Sequence, residues 1–254
     1  MLLIPTLFLR HQHVVNPAPD AKSPLPTDPL ALGRQWKAAG IEMLHIVDLD
    51  AGVVGSPLPN LPLITRLVTE CGFHCQVMGG IRTAETAKRY FDHGVARIFL
   101  ESIAYQQPTF AEDLARRFPG RIGVEIAVRH GKVAIKGWSV APHKSATDYL
   151  QQFRASGIAA VLYADVNEHG MLAAENFQSI RAFAQQAQMP VLHHTDLETT
   201  EQLEQLIHLE KFGVMGTILG KSVYEGRFDL EAIVTLTKEQ EQIAAADEDT
   251  VMPS

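Results

Sequence analysis

"LFLRHQHVV", residues 7–15, recurs as "IAVRHGKVA" at residues 126–134, which aligns Phe8 with Ala127 at an offset of 119 residues. Two further pairs of segments repeat at nearly the same spacing. They are "DLDAGVVG" from Asp48 with "DVNEHGML" from Asp165, and "GVARIFLES" from Gly94 with "GVMGTILGK" from Gly213. Three pairs of segments with almost one offset indicate a fold that is built from two similar halves.

Each half alternates short apolar runs with amphipathic stretches. Runs rich in Val, Ile and Leu predict strands at 2–8, 43–48, 74–78, 96–100, 121–127, 159–164, 190–194 and 215–219. Apolar residues at helical spacing predict helices at 29–39, 60–72, 83–93, 108–118, 145–156, 176–188, 199–209 and 228–243. Strands with near-continuous apolar residues are buried on both faces, as in a parallel sheet covered by helices. Eight strand–helix units in 254 residues therefore predict an α/β fold, a (β/α)8 TIM barrel made of two repeat-related halves.

The barrel is predicted to be a single domain over residues 1–243. The segment "NPAPDAKSPLPTDPLA" (16–31) contains too much proline for regular structure, so we expect residues 15–32 to form a long loop after the first strand. Loops of this length are often functional, and this one is a candidate surface for a protein partner. The acidic, alanine-rich end of the chain predicts a disordered tail at 244–254.

Composition excludes several classes of partner. The formal net charge is −7 and no run of Lys and Arg occurs, which argues against nucleic acid. No apolar stretch approaches the ~20 residues that a membrane span requires. The opening "MLLIPTLFL" lacks a basic segment and a small-residue cleavage site, so it predicts a buried first strand rather than a signal peptide.

The chain has two cysteines, Cys71 and Cys75, in "ECGFHC". A structural zinc site takes four ligands, and no second cysteine pair completes one. We therefore expect both thiols to be reduced, in a cytoplasmic protein.

Several motifs, spread over residues 2–232, together resemble one known family. The segments "HIVDLDAG", "QVMGGIR", "GKVAIKGW" and "GKSVYEGRFDL" are similar, in wording and order, to the histidine-biosynthesis (β/α)8 barrels. That family includes the phosphoribosylformimino-aminoimidazole carboxamide ribotide isomerase and the cyclase subunit of imidazole glycerol phosphate synthase. The resemblance implies a twofold-repeated barrel whose ligand, a small molecule and possibly a sugar phosphate, carries a phosphate at each end.

The resemblance also implies where the two phosphates bind. The expected phosphate-binding residues are Gly79, Gly80 and Ser102 at the first site, and Gly220 and Lys221 at the second. Glycine lets backbone N–H groups approach an anion closely. Two departures weaken these sites: Glu101 replaces a usual glycine, and "HHTD" (193–196) replaces an expected Ser-Gly-Gly with Thr195 and Asp196. Alternatively, the glycines at 79, 80 and 220 form only tight turns. Arg82 and Trp138 match positions that contact the substrate.

The family reaction is an Amadori-type rearrangement that needs a general acid and a general base. The resembling enzymes supply these as an Asp at the end of the first strand and an Asp at the end of the fifth. The matching residues here are Phe8 and Ala127, and two nearby family positions hold Ala164 and His169. Each lost acid–base group is typically worth 10²–10⁴ in rate, so we expect the usual isomerisation to be lost.

Other ionisable residues remain at the predicted barrel mouth. The catalytic candidates are His45, Asp48, Asp165 and His194. For Asp48 and Asp165 the alternative is to hold loops through backbone N–H groups, and for His45 it is a role in the core. His11 and His130 are a repeat-related pair that could converge across the mouth.

The pair His193-His194 with Asp196 suggests a mixed metal site, in which Glu101 or Asp165 could also take part. Neighbouring residues on a strand point to opposite faces, so both imidazoles cannot enter the mouth together. We therefore expect no metal site, and we expect no cofactor.

Three functions follow from the sequence. The first is a diverged paralogue of the phosphoribosyl isomerase that binds a phosphorylated or anionic small molecule at the C-terminal barrel face. The second is a working isomerase of histidine biosynthesis. The third is a non-catalytic binding or assembly protein, since Phe8, Ala127 and Ala164 make the mouth more apolar.

Overall fold

Eight parallel strands close into a barrel, as the sequence predicts. The computed structural model describes residues 1–16, 28–52, 57–135, 139–167, 172, 176–197, 199–223 and 229–239. The barrel strands run in the order β5-β4-β3-β1-β11-β10-β9-β6, and pairing of β5 with β6 closes the ring. The strands are β1 (Leu2–Arg10), β2 (His13–Val14), β3 (Met43–Asp48), β4 (His74–Met78), β5 (Arg97–Leu100), β6 (Ile122–Arg129), β7 (Lys132–Ile135), β8 (Ser139–Ser145), β9 (Ala160–Asp165), β10 (Val191–Thr195) and β11 (Val214–Leu219).

Helices follow the barrel strands and cover the outside of the sheet. They are α1 (Pro29–Ala38), α2 (Leu61–Thr69), α3 (Ala84–Asp92), α4 (Ser102–Gln106), α5 (Pro108–Arg117), α6 (Ala146–Gln151), α7 (Phe177–Ala187), α8 (Thr200–Ile207) and α9 (230–239). Many begin at a side-chain cap: Thr83 accepts a bond from Thr86, and Thr199 and Gln202 form a reciprocal capping box before α8. The helices pack their apolar faces on the outer face of the barrel in one large core.

A second, smaller apolar cluster fills the inside of the barrel. It contains alternate residues of successive strands, among them Ile4, Val47, Met78 and Phe99, and Phe8 packs against it. In such barrels each interior layer takes one side chain from every second strand. The register places Thr6, Met78, Glu125 and His194 in one layer, and His45, Phe99, Leu162 and Ile218 in the next layer down.

The structure confirms the internal repeat. After β1 the chain turns back at His11 and Gln12, and Leu9 and Arg10 pair with the two residues of β2. After β6 it turns back at His130 and Gly131 in the same way, and β7 pairs antiparallel with β6. Both turns require positive φ angles, which are 48° at His11 and 52° at His130. The two sequence blocks that first indicated a repeat therefore form equivalent hairpins.

The structure differs from the predicted elements at two places. The helix expected over 145–156 ends at Gln151, because Phe153 and Ser156 bond three residues back and continue the chain as turns. No strand is predicted between residues 127 and 145, but an antiparallel arm forms there from β7 and β8. The eight barrel strands differ from their predicted bounds by at most two residues at either end.

Some predictions concern residues outside the described part of the chain. They are Trp138 as a substrate contact, His169, most of the 16–31 loop, and the 244–254 tail. Among the residues that are described, no helix is long and apolar enough to cross a membrane.

Candidate functional site at the barrel mouth

The two strand ends at which the family carries aspartates are apolar in the structure. The Phe8 side chain on β1 is partly buried and packs against the apolar cluster inside the barrel. Ala127, at the equivalent point of β6, is buried with Ala164 and Val166 in a small separate cluster. Neither position offers a group that can gain or lose a proton.

Asp48, at the end of β3, is fully buried and its carboxylate is used by the chain itself. One oxygen accepts from the backbone N–H groups of Asp50 and Ala51 and from the amide of Asn60, at 2.7–3.1 Å. The other accepts from the phenol of Tyr90 at 2.6 Å. Burial and this carboxylate raise the pKa of Tyr90. The geometry corresponds to the loop-holding role rather than to the catalytic one.

Asp165, the repeat partner of Asp48, lies in a different environment. Its Oδ1 atom receives a long bond of 3.4 Å from the Tyr163 hydroxyl, and its buried Oδ2 atom has no partner among the described residues. Burial raises the pKa of Asp165 to about 6, against a smaller lowering by the Tyr163 hydrogen bond. This carboxyl therefore titrates close to neutrality, and it remains a candidate for proton transfer.

His45 lies inside the barrel and is fully buried. Its Nδ1 atom is 3.1 Å from the side-chain nitrogen of Gln76 on β4, and its ring centroid is 6.0 Å from that of His194 on β10. Burial, and to a smaller extent His194, hold the pKa of His45 well below its usual value. The imidazole is therefore neutral at physiological pH.

The His45–Gln76 pair leaves two polar atoms without partners in the described part of the chain. They are the His45 Nε2 atom and the Gln76 Oε1 atom, and both are buried. Because the amide donates to Nδ1, the neutral ring carries its proton on Nε2; the opposite amide orientation exchanges the two roles. Either way the pair presents one donor and one acceptor to the barrel interior.

The Gly79–Gly80 loop follows β4 and has the left-handed backbone that only glycine adopts readily. The φ angles are 126° at Gly79 and 56° at Gly80. A Cβ atom on Gly79 would lie 2.1 Å from the Asp48 carbonyl oxygen, and one on Gly80 would lie 2.2 Å from the Cα of Gly52. Close packing of two loops is thus sufficient to require both glycines, with or without a bound anion.

Glu101 is bonded to the Gly79–Gly80 loop. Its Oε2 atom accepts the backbone N–H of Gly80 at 2.8 Å, across 21 residues of sequence. The donor that the family resemblance assigns to a phosphate is therefore already bonded to a carboxylate of the chain.

The second loop shows a corresponding contact. Asp196, after β10, accepts the backbone N–H of Ser222 at 3.0 Å, and its carboxylate lies beside Gly220. Lys221 opens a short 3₁₀ turn at Lys221–Val223, and Gly220 donates its own N–H to the Thr195 carbonyl at 3.0 Å. Ser222 is fully buried and its hydroxyl has no hydrogen-bond partner in the described structure.

Glu125 lies on β6, two residues before Ala127, and its side chain faces the inside of the barrel. Burial raises the pKa of Glu125 to about 8, and the nearby charge of Glu101 adds to the increase. At neutral pH its carboxyl is mostly protonated and can donate a hydrogen bond. The inward direction of Glu125 follows from the alternation along the strand that also turns Ala127 inward.

The two neighbouring histidines face opposite sides of β10, as predicted. The His193 ring lies 6.2 Å from that of Tyr163, while the His194 ring points inward toward His45. Burial lowers the pKa of His193 to about 3 and that of His194 to about 4, with a further contribution from His194 to the former. Among the described residues, no three His, Cys, Asp or Glu side chains are placed to hold a metal ion.

The remaining candidates lie at the rim of the mouth. His11 exposes 75% of its side chain beside Asp50, and His130 is exposed in its own hairpin turn. Arg82 is exposed ahead of α3, and Ser102 is the first residue of α4.

The two cysteines, Cys71 and Cys75, are buried free thiols, as expected, and burial raises the pKa of Cys75 to about 12.

Comparison with known proteins gives a consistent result. Residues 2–229 match the family described as "Histidine biosynthesis protein". A 1-(5-phosphoribosyl)-5-((5-phosphoribosylamino)methylideneamino) imidazole-4-carboxamide isomerase of Desulfosudis oleivorans is 38% identical over 84% of this chain and 85% of its own length. Proteins of the same name from Geotalea uraniireducens and a Synechococcus strain are 34% and 39% identical. They cover 95% and 80% of this chain, and 100% and 79% of their own lengths.

The family match spans almost the whole barrel, and these relatives exceed 30% identity over most of both chains. The repeated hairpins and the closed parallel barrel agree with it. The chain belongs to the histidine biosynthesis protein family.

Proposed function

We propose that this chain is a diverged member of the family that binds a small molecule in the C-terminal mouth of its barrel and does not catalyse the isomerisation for which its relatives are named. The observation that carries the proposal is the apolar character of both equivalent strand ends, Phe8 and Ala127. A proton moved between carbon and nitrogen needs a titratable group on each side of the substrate, and neither side chain can supply one.

The groups that remain could support different chemistry. Glu125 and Asp165 have pKa values raised into the range in which a carboxyl exchanges protons near neutral pH. His45 and His194 are neutral imidazoles inside the barrel. These four residues are the candidates for binding or proton transfer.

A working isomerase is the alternative, and the names of the relatives favour it. A direct assay separates the two functions. The purified chain is given the aminoaldose substrate of those enzymes, with one of them as the positive control. We expect a rate lower by more than about 10³, the effect of losing an acid–base group. A rate within a few hundredfold of the control would refute the proposal.

A non-catalytic binding protein is the limiting case of the same proposal. A protein partner at the 16–31 loop and a cytoplasmic location both remain predictions. Native mass measurement of the chain isolated from its own cells would reveal a stable partner, and a strict monomer would count against one.

A further inference from the structure

Two carboxylates of the chain are bonded to the two loops that, by resemblance, hold the ends of a bisphosphate. Glu101 bonds to the N–H of Gly80 at 2.8 Å, and Asp196 bonds to the N–H of Ser222 at 3.0 Å. The contacts arise in different halves of the barrel and from different strands. Two independent contacts of one kind point to a property of the whole mouth.

We propose that Glu101 and Asp196 are specificity-determining residues whose carboxylates occupy the two anion loops, so that the chain rejects phosphate-ended ligands and takes one whose ends donate hydrogen bonds. This inference rests on the proposed function, since it concerns the ligand of the same mouth.

Electrostatics at the first loop supports the inference. A phosphate at Gly80 would either break the hydrogen bond from Gly80 to Glu101 or share the Gly80 N–H with the Glu101 carboxylate. In both arrangements a phosphate dianion would lie close to the Glu101 carboxylate, and like charges in partly buried sites repel strongly.

The second loop leads to the same conclusion. The Asp196 Oδ1 atom lies 3.1 Å from the position that a Cβ on Gly220 would take, so the carboxylate fills the space beside this glycine. The buried hydroxyl of Ser222 lies in the same turn and lacks a partner in the described residues. A hydroxyl or amine of a ligand can donate to the Asp196 carboxylate, whereas a phosphate at this loop would lie against a like charge.

Deeper in the barrel, below the two loops, His45, Gln76, Thr6 and His194 carry buried polar atoms that have no hydrogen-bond partner among the described residues. Burial keeps the imidazoles of His45 and His194 neutral, since it lowers the pKa of each. These two rings therefore supply no positive charge that would balance a phosphate at either loop.

The test is titration of the full chain with inorganic phosphate. Binding is measured by calorimetry and by the shift of the midpoint of thermal unfolding. The variants are Glu101→Ala, Asp196→Ala and the double variant. Two controls accompany them. Glu101→Gln removes the charge and keeps an oxygen that can accept from Gly80, and Glu204→Ala removes an exposed carboxylate from α8, outside both loops.

We expect the double variant to bind phosphate at least about tenfold more tightly than the unaltered chain, because a like charge is removed at each loop. Glu101→Gln should gain less than Glu101→Ala, and Glu204→Ala should match the unaltered chain. If the unaltered chain and the double variant bind phosphate with equal affinity, the inference is overturned, whether both bind it tightly or both bind it weakly. Circular dichroism and the thermal midpoint without phosphate show that each variant is folded.

The failure of this inference is distinct from failure of the proposed function. Tight phosphate binding by the unaltered chain without isomerase activity overturns only the present inference. Turnover of the bisphosphate substrate refutes the proposed function as well.

Discussion

Tyr90 on α3 donates a 2.6 Å hydrogen bond to the Oδ2 atom of Asp48, which joins a helix outside the barrel to the carboxyl end of β3. Both groups are buried, and the other oxygen of Asp48 holds the following loop through two backbone N–H groups and Asn60. The position of Ala51 and Gly52, against which Gly80 packs, therefore depends on this carboxylate.

Tyr90→Phe is expected to lower the free energy of unfolding by about 1.5–3 kcal/mol, because a hydrogen bond to a buried carboxylate is lost. The matched control is Tyr149→Phe. The Tyr149 hydroxyl is buried and meets no hydrogen-bond partner among the residues that the structure describes, so its removal should cost little or stabilise the fold. Urea unfolding of both variants measures the difference, and equal effects would mean that the Asp48 contact adds nothing.

Gly79→Ala is expected to destabilise the chain severely, by about 3 kcal/mol or more, since its Cβ would overlap the Asp48 backbone. Gly120→Ala is the control: its φ angle of 75° is also positive, but a Cβ there meets no atom within 4 Å. That variant should cost only the ~1 kcal/mol of the backbone conformation. Similar midpoints for the two variants would show that the loop relaxes easily.

Stability should pass through a maximum near pH 6.5. His45, His193 and His194 have folded-state pKa values below that of an unfolded histidine, so their contribution is present above about pH 6.5 and is lost as the pH falls. Glu125 has a raised pKa, so its contribution is present at low pH and is lost as the pH rises toward about 8. Asp165 acts in the same sense as Glu125 but only up to about pH 6.

On the alkaline side only Glu125 of these five groups still titrates. Between pH 6.5 and 8 the chain should lose about 2 kcal/mol, at ~1.4 kcal/mol per pH unit. Glu125→Gln should remove this loss, while Glu112→Gln, on the helix α5, should leave it in place. Urea unfolding at pH 6.5, 7.2 and 8 measures the slope, and an unchanged slope in Glu125→Gln would contradict the assignment.

The sequence was sufficient to predict the barrel, because near-continuous apolar runs locate buried parallel strands within two residues and the shared offset reveals the two halves. It was also sufficient to place Glu101 and Asp196 beside the loops that follow β4 and β11. It could not predict that each carboxylate bonds to a backbone N–H, because that depends on side-chain conformation across 21 and 26 residues.

The arm from β7 and β8 was missed for a different reason. Its strands lie outside the barrel, and their sequences lack the near-continuous apolar runs that identify the barrel strands. The unpaired polar atoms of Thr6 and Gln76 were missed because they depend on the closed register, which only the folded barrel defines.

The last prediction combines both proposals. If only the acid–base pair had been lost, Phe8→Asp with Ala127→Asp would restore isomerisation. With Glu101 and Asp196 in the anion loops, we expect this double variant to remain inactive because the bisphosphate is not held. Adding Glu101→Gly and Asp196→Gly should raise the rate by about 10²–10⁴ over the double variant, the range that one acid–base group contributes once the substrate is in place.

The measurement is turnover of the aminoaldose substrate by the double variant, the quadruple variant and a variant that carries only Glu101→Gly and Asp196→Gly (the loop-only variant). Full activity in the double variant would show that the two carboxylates leave phosphate binding intact, and equal activity in the quadruple and loop-only variants would show that aspartates at 8 and 127 no longer reach the reacting atoms.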